Sequence, residues 1–135
     1  MDFLKLEDIA KEQYGKNIKS VLKEKEIEIK RLKAKIKIKE LDKYDMLDCM
    51  TMASKASETD DVNEIIKSNA NYVLKGTKDS LALNKIENQE KLGCTNGITA
   101  VMTLFTELEI AEISIKILEL SKKDDTISEI GGLES

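Results

Sequence analysis

Two short stretches of the chain alternate charged and apolar residues: Lys25-Glu26-Ile27-Glu28-Ile29-Lys30 and Lys35-Ile36-Lys37-Ile38-Lys39. A period of two belongs to a strand with one buried face. Arg31-Leu32-Lys33-Ala34 lies between them and suits a short hairpin loop, although it lacks the Asn-Gly or Asp-Gly of a tight turn. The pattern predicts a β-hairpin over about residues 25–40. A lone hairpin is marginal in water, so Ile27, Ile29, Ile36 and Ile38 must pack on the helices that follow.

After Leu41 the period becomes helical. Asp42 is placed as an N-cap with Asp45 three residues later, and the helix is expected from about Lys43 to Ser54. Its apolar stripe is read as Met46, Leu47, Met50 and Ala53, with the methionines Met46, Met50 and Met52 as adaptable core fillers. Asp60 or Asp61 caps a second helix whose face carries Val62, Ile65, Ile66, Ala70, Val73 and Leu74, with Gly76 where a C-terminal cap belongs. Asp79 opens a shorter helix through Ile86 that ends before Gly93, and Gly93-Cys94-Thr95-Asn96-Gly97 reads as a loop. Thr95 or Asn96 then caps a helix bearing Ile98, Val101, Met102 and Phe105. Thr106-Glu107-Leu108-Glu109 has the form of a capping box and opens a final helix from Glu107 to about Ser121. The expected fold class is α+β, mostly α: an N-terminal β-hairpin followed by about four to five helices, packed as one small domain over residues 1–121. Residues 122–135 are polar and Gly-containing and read as a flexible C-terminal tail.

The final helix is more apolar than a peripheral helix requires. Ile110, Ile113, Ile117 and Leu120 form one stripe, and Ala111, Ile115 and Leu118 widen it around the cylinder. Such an excess fits a central core helix, self-association, or a face that meets a client protein. Ile110, Ile113, Ile115, Ile117 and Leu118 are therefore the candidate partner-binding residues.

Composition then narrows the chemistry. The chain has 135 residues, no His, no Trp and no Pro. Missing histidine removes Ser-His-Asp and Cys-His catalysis, the HExxH zinc motif and His-assisted metal sites. Cys49 and Cys94 form no CxxC pair and read as buried small apolar residues. Asp42, Asp45 and Asp48 recur every three residues, as do Glu109 and Glu112, but none forms an EF-hand loop and a solvated face accounts for them. Gly93 and Gly97 have neither the preceding strand nor the following Lys of a P-loop. No catalytic residue, cofactor site or metal site is assigned, and a non-enzymatic protein is expected. The N-terminus carries acids where a secretory signal needs a basic region, and no stretch has the ~18–20 apolar residues of a membrane span. A cytoplasmic protein is the expectation from these features.

Charge is polarised along the chain. From Lys16 to Lys43 there are 11 basic and 5 acidic residues, a net of +6, within a chain whose net charge is −4. Lys30, Arg31, Lys33, Lys35, Lys37 and Lys39 are candidate contacts to nucleic-acid phosphates, which is the alternative function. Against it, only one Arg is present, no aromatic interleaves the run, and Glu24, Glu26 and Glu28 oppose a polyanion. Lysines on an exposed strand face also discourage pairing between molecules, which explains the run without a ligand.

The order of elements resembles that of the XkdN-like tail assembly chaperones of contractile-tailed phages and PBSX-type prophages. The resemblance is carried by Ile27-Glu28-Ile29-Lys30-Arg31-Leu32, an alternating strand ending in Lys-Arg-Leu, and by Lys37-Ile38-Lys39-Glu40-Leu41 before an acid-capped helix. Leu104-Phe105-Thr106-Glu107-Leu108-Glu109-Ile110-Ala111-Glu112-Ile113 through Ile117-Leu118-Glu119-Leu120-Ser121 is similar to the family's closing helix. Two positions depart: the family usually has Gly where this chain has Lys33, and often Pro where it has Glu107. The resemblance implies a non-enzymatic helper in the host bacterial cytoplasm. Such a protein binds the tape-measure protein, keeps it soluble, helps recruit tail-tube subunits, and is absent from the finished tail.

Overall fold

The computed structural model describes residues 22–122, together with residues 3 and 5–7. The described order is β1 (Glu24–Ile29), a 3-10 turn (Lys30–Leu32), β2 (Ala34–Lys39), then α1 (Lys43–Thr59), α2 (Val62–Gly76), α3 (Ile86–Lys91), α4 (Gly97–Leu104) and α5 (Glu107–Ser121). Among the described residues the protein is thus mostly helical and of α+β class, with an antiparallel hairpin before five helices. Beyond Lys122, the expected tail lies outside the described residues.

The hairpin forms as the alternation demands. Ile27 pairs with Ile36 and Ile29 with Ala34, so isoleucines from both strands share one face. Ile29, Ile36 and Ile38 are buried, and Ile27 packs against the same core at its margin. The loop is one residue earlier than expected, because Ala34 is already paired and Lys33 closes the turn with φ 51°, donating its N–H to Lys30 O at 3.1 Å. Only Gly occupies that left-handed region without steric cost.

The helix ends obey capping chemistry. Asp42 accepts from Asp45 N at 2.8 Å, Asp61 from Asn63 N at 2.9 Å, and Asn96 from Thr99 N at 2.8 Å. The adjacent acids divide the work: Asp61 starts α2, while Asp60, at φ 54°, ends α1. Helix α1 consequently runs five residues beyond the expected Ser54. At Thr106 the full capping box forms, with Glu109 N donating to Thr106 Oγ1 and Thr106 N to Glu109 Oε1.

Helix α2 is central and packs against α1, α4 and α5. Its inner half supplies Ala70, Tyr72 and Val73 to the core, whereas Val62 and Ile65, expected on its buried face, lie in an outer turn exposed to solvent. Gly76 is not a left-handed cap. It is the last helical residue, and a Cβ there would collide with Ile117, so its value is the close approach of α2 to α5. The helix expected to open at Asp79 and end before Gly93 is corrected at its start. Ser80, Leu81 and Ala82 all donate N–H to Thr77 O, Ala82 has φ 50°, and the helix begins only at Ile86. A left-handed residue in mid-segment breaks the i to i−4 ladder.

The stripe assigned to α1 is likewise revised. Cys49 and Ala56 are buried, with Met46 and Ala53 beside them, while Leu47 is 61% and Met50 56% exposed. The inward row 46, 49, 53 and 56 has the alternating three and four spacing of a helix face. Apart from Met46 this row is made of small residues, and α1 packs against α2. Cys94 is buried too, and both cysteines are free thiols.

Candidate interaction surface

The five apolar residues proposed for a partner on α5 separate into two groups. Ile110, Ile113 and Ile117 are 1%, 2% and 0% exposed and belong to the domain's own core. Burying an isoleucine contributes about 1.5–3 kcal/mol, so exposing these three to bind a client would cost the fold itself. Leu118 packs partly against that core, and Ile115 is 54% exposed. Leu108, seven residues before Ile115 and so on the same side of the helix, is 69% exposed and was not identified in the sequence as a surface residue. A second exposed row, Tyr44, Leu47 and Met50, lies on α1. The small residues Cys49, Ala53 and Ala56 were the available signal that α1 packs through its other face.

The basic hairpin is heavily matched by acids of the same chain. Lys35 lies 3.4 Å from Glu26, Lys37 3.8 Å from Glu24, and Lys39 2.9 Å from Asp79. Arg31 does most. Its Nε donates to both oxygens of Glu109 at 3.2 and 3.0 Å, and Nη2 donates to Glu109 Oε1 at 2.9 Å and to Leu104 O at 2.8 Å. Arg31 therefore latches the hairpin tip onto the end of α4 and the first turn of α5. The Arg31 hydrogen bonds, aided by the Thr106 N–H, hold the Glu109 carboxyl down at about 2. Of the six basic candidates, Lys30 and Lys33 make no ion pair with the described residues.

The acids of α1 face the end of α2 instead of one another. Lys78 contacts Asp45 and lies 3.6 Å from Asp42, and Lys75 lies 3.7 Å from Asp48. Hydrogen bonding to Asp45 raises the Lys78 pKa, and the Asp45 N–H lowers that of Asp42. Asp42, Asp45, Lys75 and Lys78 line an open cleft of about 1040 Å³ at the hairpin base, bounded by Leu22, Lys23, Glu40 and Leu41. Among the described residues no group of three His, Cys, Asp or Glu could hold a metal ion. Burial pushes the Cys49 thiol up to about 12, so it is a poor nucleophile.

A second groove, of about 280 Å³, runs between β1 and α5. Ile27, Ile29 and Ile113 line it, with Glu28, Lys30, Glu112 and Lys116 at its margins. No described helix is long and apolar enough to cross a membrane. No family model, curated protein or solved structure matches the chain.

Proposed function

We propose that this protein is a phage tail assembly chaperone of the XkdN-like type, a binding protein that keeps the tape-measure protein soluble and helps recruit tail-tube subunits. The reading rests on the resemblance, and one observation supports it most. At both positions where the chain departs from the family pattern, the backbone suits the family's residue. Lys33 sits at φ 51°, the conformation glycine adopts without strain, where the family usually has Gly. Glu107 is the first residue of α5 after an extended Thr106, the position at which proline is favoured, and there the family often has Pro. The stretches that carry the resemblance also meet, through Arg31 and Glu109.

The client would dock on apolar residues that the core leaves outside. On α5 these are Leu108 and Ile115, and amphipathic client helices bury such rows readily. The test is co-expression with the tape-measure protein of the same phage or prophage, followed by purification through a tag on this chain. Soluble, co-purifying tape measure is expected, with recovery cut severalfold by Leu108→Glu combined with Ile115→Glu. An insoluble tape measure that never co-purifies would refute the assignment.

A further inference from the structure

The two edges of the hairpin are treated differently. Glu40 N donates to Lys23 O at 2.7 Å, and with Glu24 opposite Lys39 this register makes 25/38, 27/36 and 29/34 the pairs that exchange hydrogen bonds. The N–H and C=O groups of Glu24, Glu26 and Glu28 therefore point away from β2, and those of Lys35, Lys37 and Lys39 point away from β1. The β2 edge is covered: Ser80 Oγ donates to Lys37 O at 2.7 Å, and Asp79 holds Lys39. Among the described residues no strand pairs with the β1 edge.

Beside that edge lies the groove lined by Ile27, Ile29 and Ile113. We infer that the β1 edge and this groove accept an extended segment of another protein in which Lys or Arg alternates with aliphatic residues. A strand laid along β1 would hydrogen-bond to the outward groups of Glu24, Glu26 and Glu28. Every second side chain would enter the groove, and the intervening ones would lie over the outer face beside the three glutamates. β2 already satisfies β1 in this way from the other side, its Lys35 and Lys37 reaching Glu26 and Glu24 while Ile36 and Ile38 face inward. Opposite charges across a strand pair are favourable and like charges are not, so the glutamate row selects a basic partner.

The same row argues against a second copy of this chain. Pairing β1 with β1 would set glutamates against glutamates, and the β2 edge is taken by Ser80. This inference stands apart from the tape-measure assignment, which concerns Leu108 and Ile115.

The test uses the full-length isotope-labelled chain and three synthetic capped peptides followed by NMR amide shifts. The alternating Lys-Ile-Lys-Ile-Lys-Ile-Lys is expected to move the amides of Glu24 to Ile29 and of Glu112 to Lys116. It should bind at least tenfold more tightly than a peptide of the same composition with all lysines before all isoleucines. Glu26→Pro removes an outward N–H without touching the β1–β2 hydrogen bonds and should weaken binding about tenfold. Glu26→Lys combined with Glu28→Lys should shift preference to the alternating Glu-Ile peptide, which guards against a proline variant that fails to fold. Equal binding of the permuted peptide, shifts confined to other surfaces, or a preference unmoved by charge reversal would overturn the inference. So would dimerisation of the free protein through the β1 amides.

Discussion

Helices α1 and α5 both carry more apolar residues than one core face needs, yet they use them in opposite ways. α5 turns its large side chains inward, so that Ile110, Ile113 and Ile117 fill the space over α2. α1 packs with Cys49 and Ala56 and leaves Tyr44, Leu47 and Met50 in solvent. The partner helix explains the difference. α2 ends in Gly76, which receives Ile117, whereas the residues that α1 buries, Cys49 and Ala56, are small. Total packed volume decides which residues enter, because interiors tolerate neither voids nor overlap. Hydrophobicity alone does not rank Leu47 below Cys49 for burial; shape does.

Breaking the α5 side should have the largest effect. Ile117→Ala is expected to cost about 2–5 kcal/mol in denaturant unfolding, against a change within about 0.5 kcal/mol for Ile115→Ala on the same helix. Similar losses for the two would mean that α5 does not seat as described. Next, Gly76→Ala should cost about 1–3 kcal/mol even though alanine is the better helix former, because the added methyl meets Ile117. An unchanged or raised midpoint would remove the close approach from the account. On α1, Leu47→Glu and Met50→Glu should each stay within about 0.5 kcal/mol of the parent in thermal or denaturant melts. A cooperative loss of structure there would make the exposed row part of the core after all.

The two helix starts sharpen the contrast further. Each has an acid tied to a distant cation, Asp42 to Lys78 and Glu109 to Arg31, and each acid has a lowered pKa. An acid held lower in the folded chain contributes stability that is fully present above its unfolded pKa and is lost as pH falls toward the folded value. For Glu109 that window runs from the ordinary glutamate value of 4.5 down to about 2. Glu109→Gln should therefore flatten part of the acid limb of the stability profile in that range. An acid limb identical to the parent's would show that the latch does not couple to folding.

Much of this was legible in the sequence because it is local. The alternation around Ile27 and Ile36 needed only the period of a strand, and Thr106 with Glu109 needed only the geometry of one helical turn. Asp42 is legible as a cap for the same reason, while the sequence narrows the other two caps only to Asp60 or Asp61 and to Thr95 or Asn96, of which the structure uses Asp61 and Asn96. The helix expected from Asp79 starts only at Ile86 because the preceding segment is held by bonds converging on Thr77 O and by Lys39 from the hairpin. Gly76 was misread since a cap and a close approach look alike until the facing side chain is known. The candidate surface was least legible: α5 showed an apolar excess, but which isoleucines it spends on the core depends on where α2 lies.

The amino-acid sequence by itself determined the class of the fold, the hairpin, most helix starts and the burial of both cysteines, because periodicity, capping and side-chain size act over a few residues. Only the tertiary structure decided that Arg31 reaches Glu109 across 78 positions, that Lys33 carries a left-handed backbone, and that one hairpin edge is covered while the other, paired with no described strand, runs beside a groove. Those outcomes depend on how separate elements meet, and packing density together with charge pairing settles that only once every element is in place.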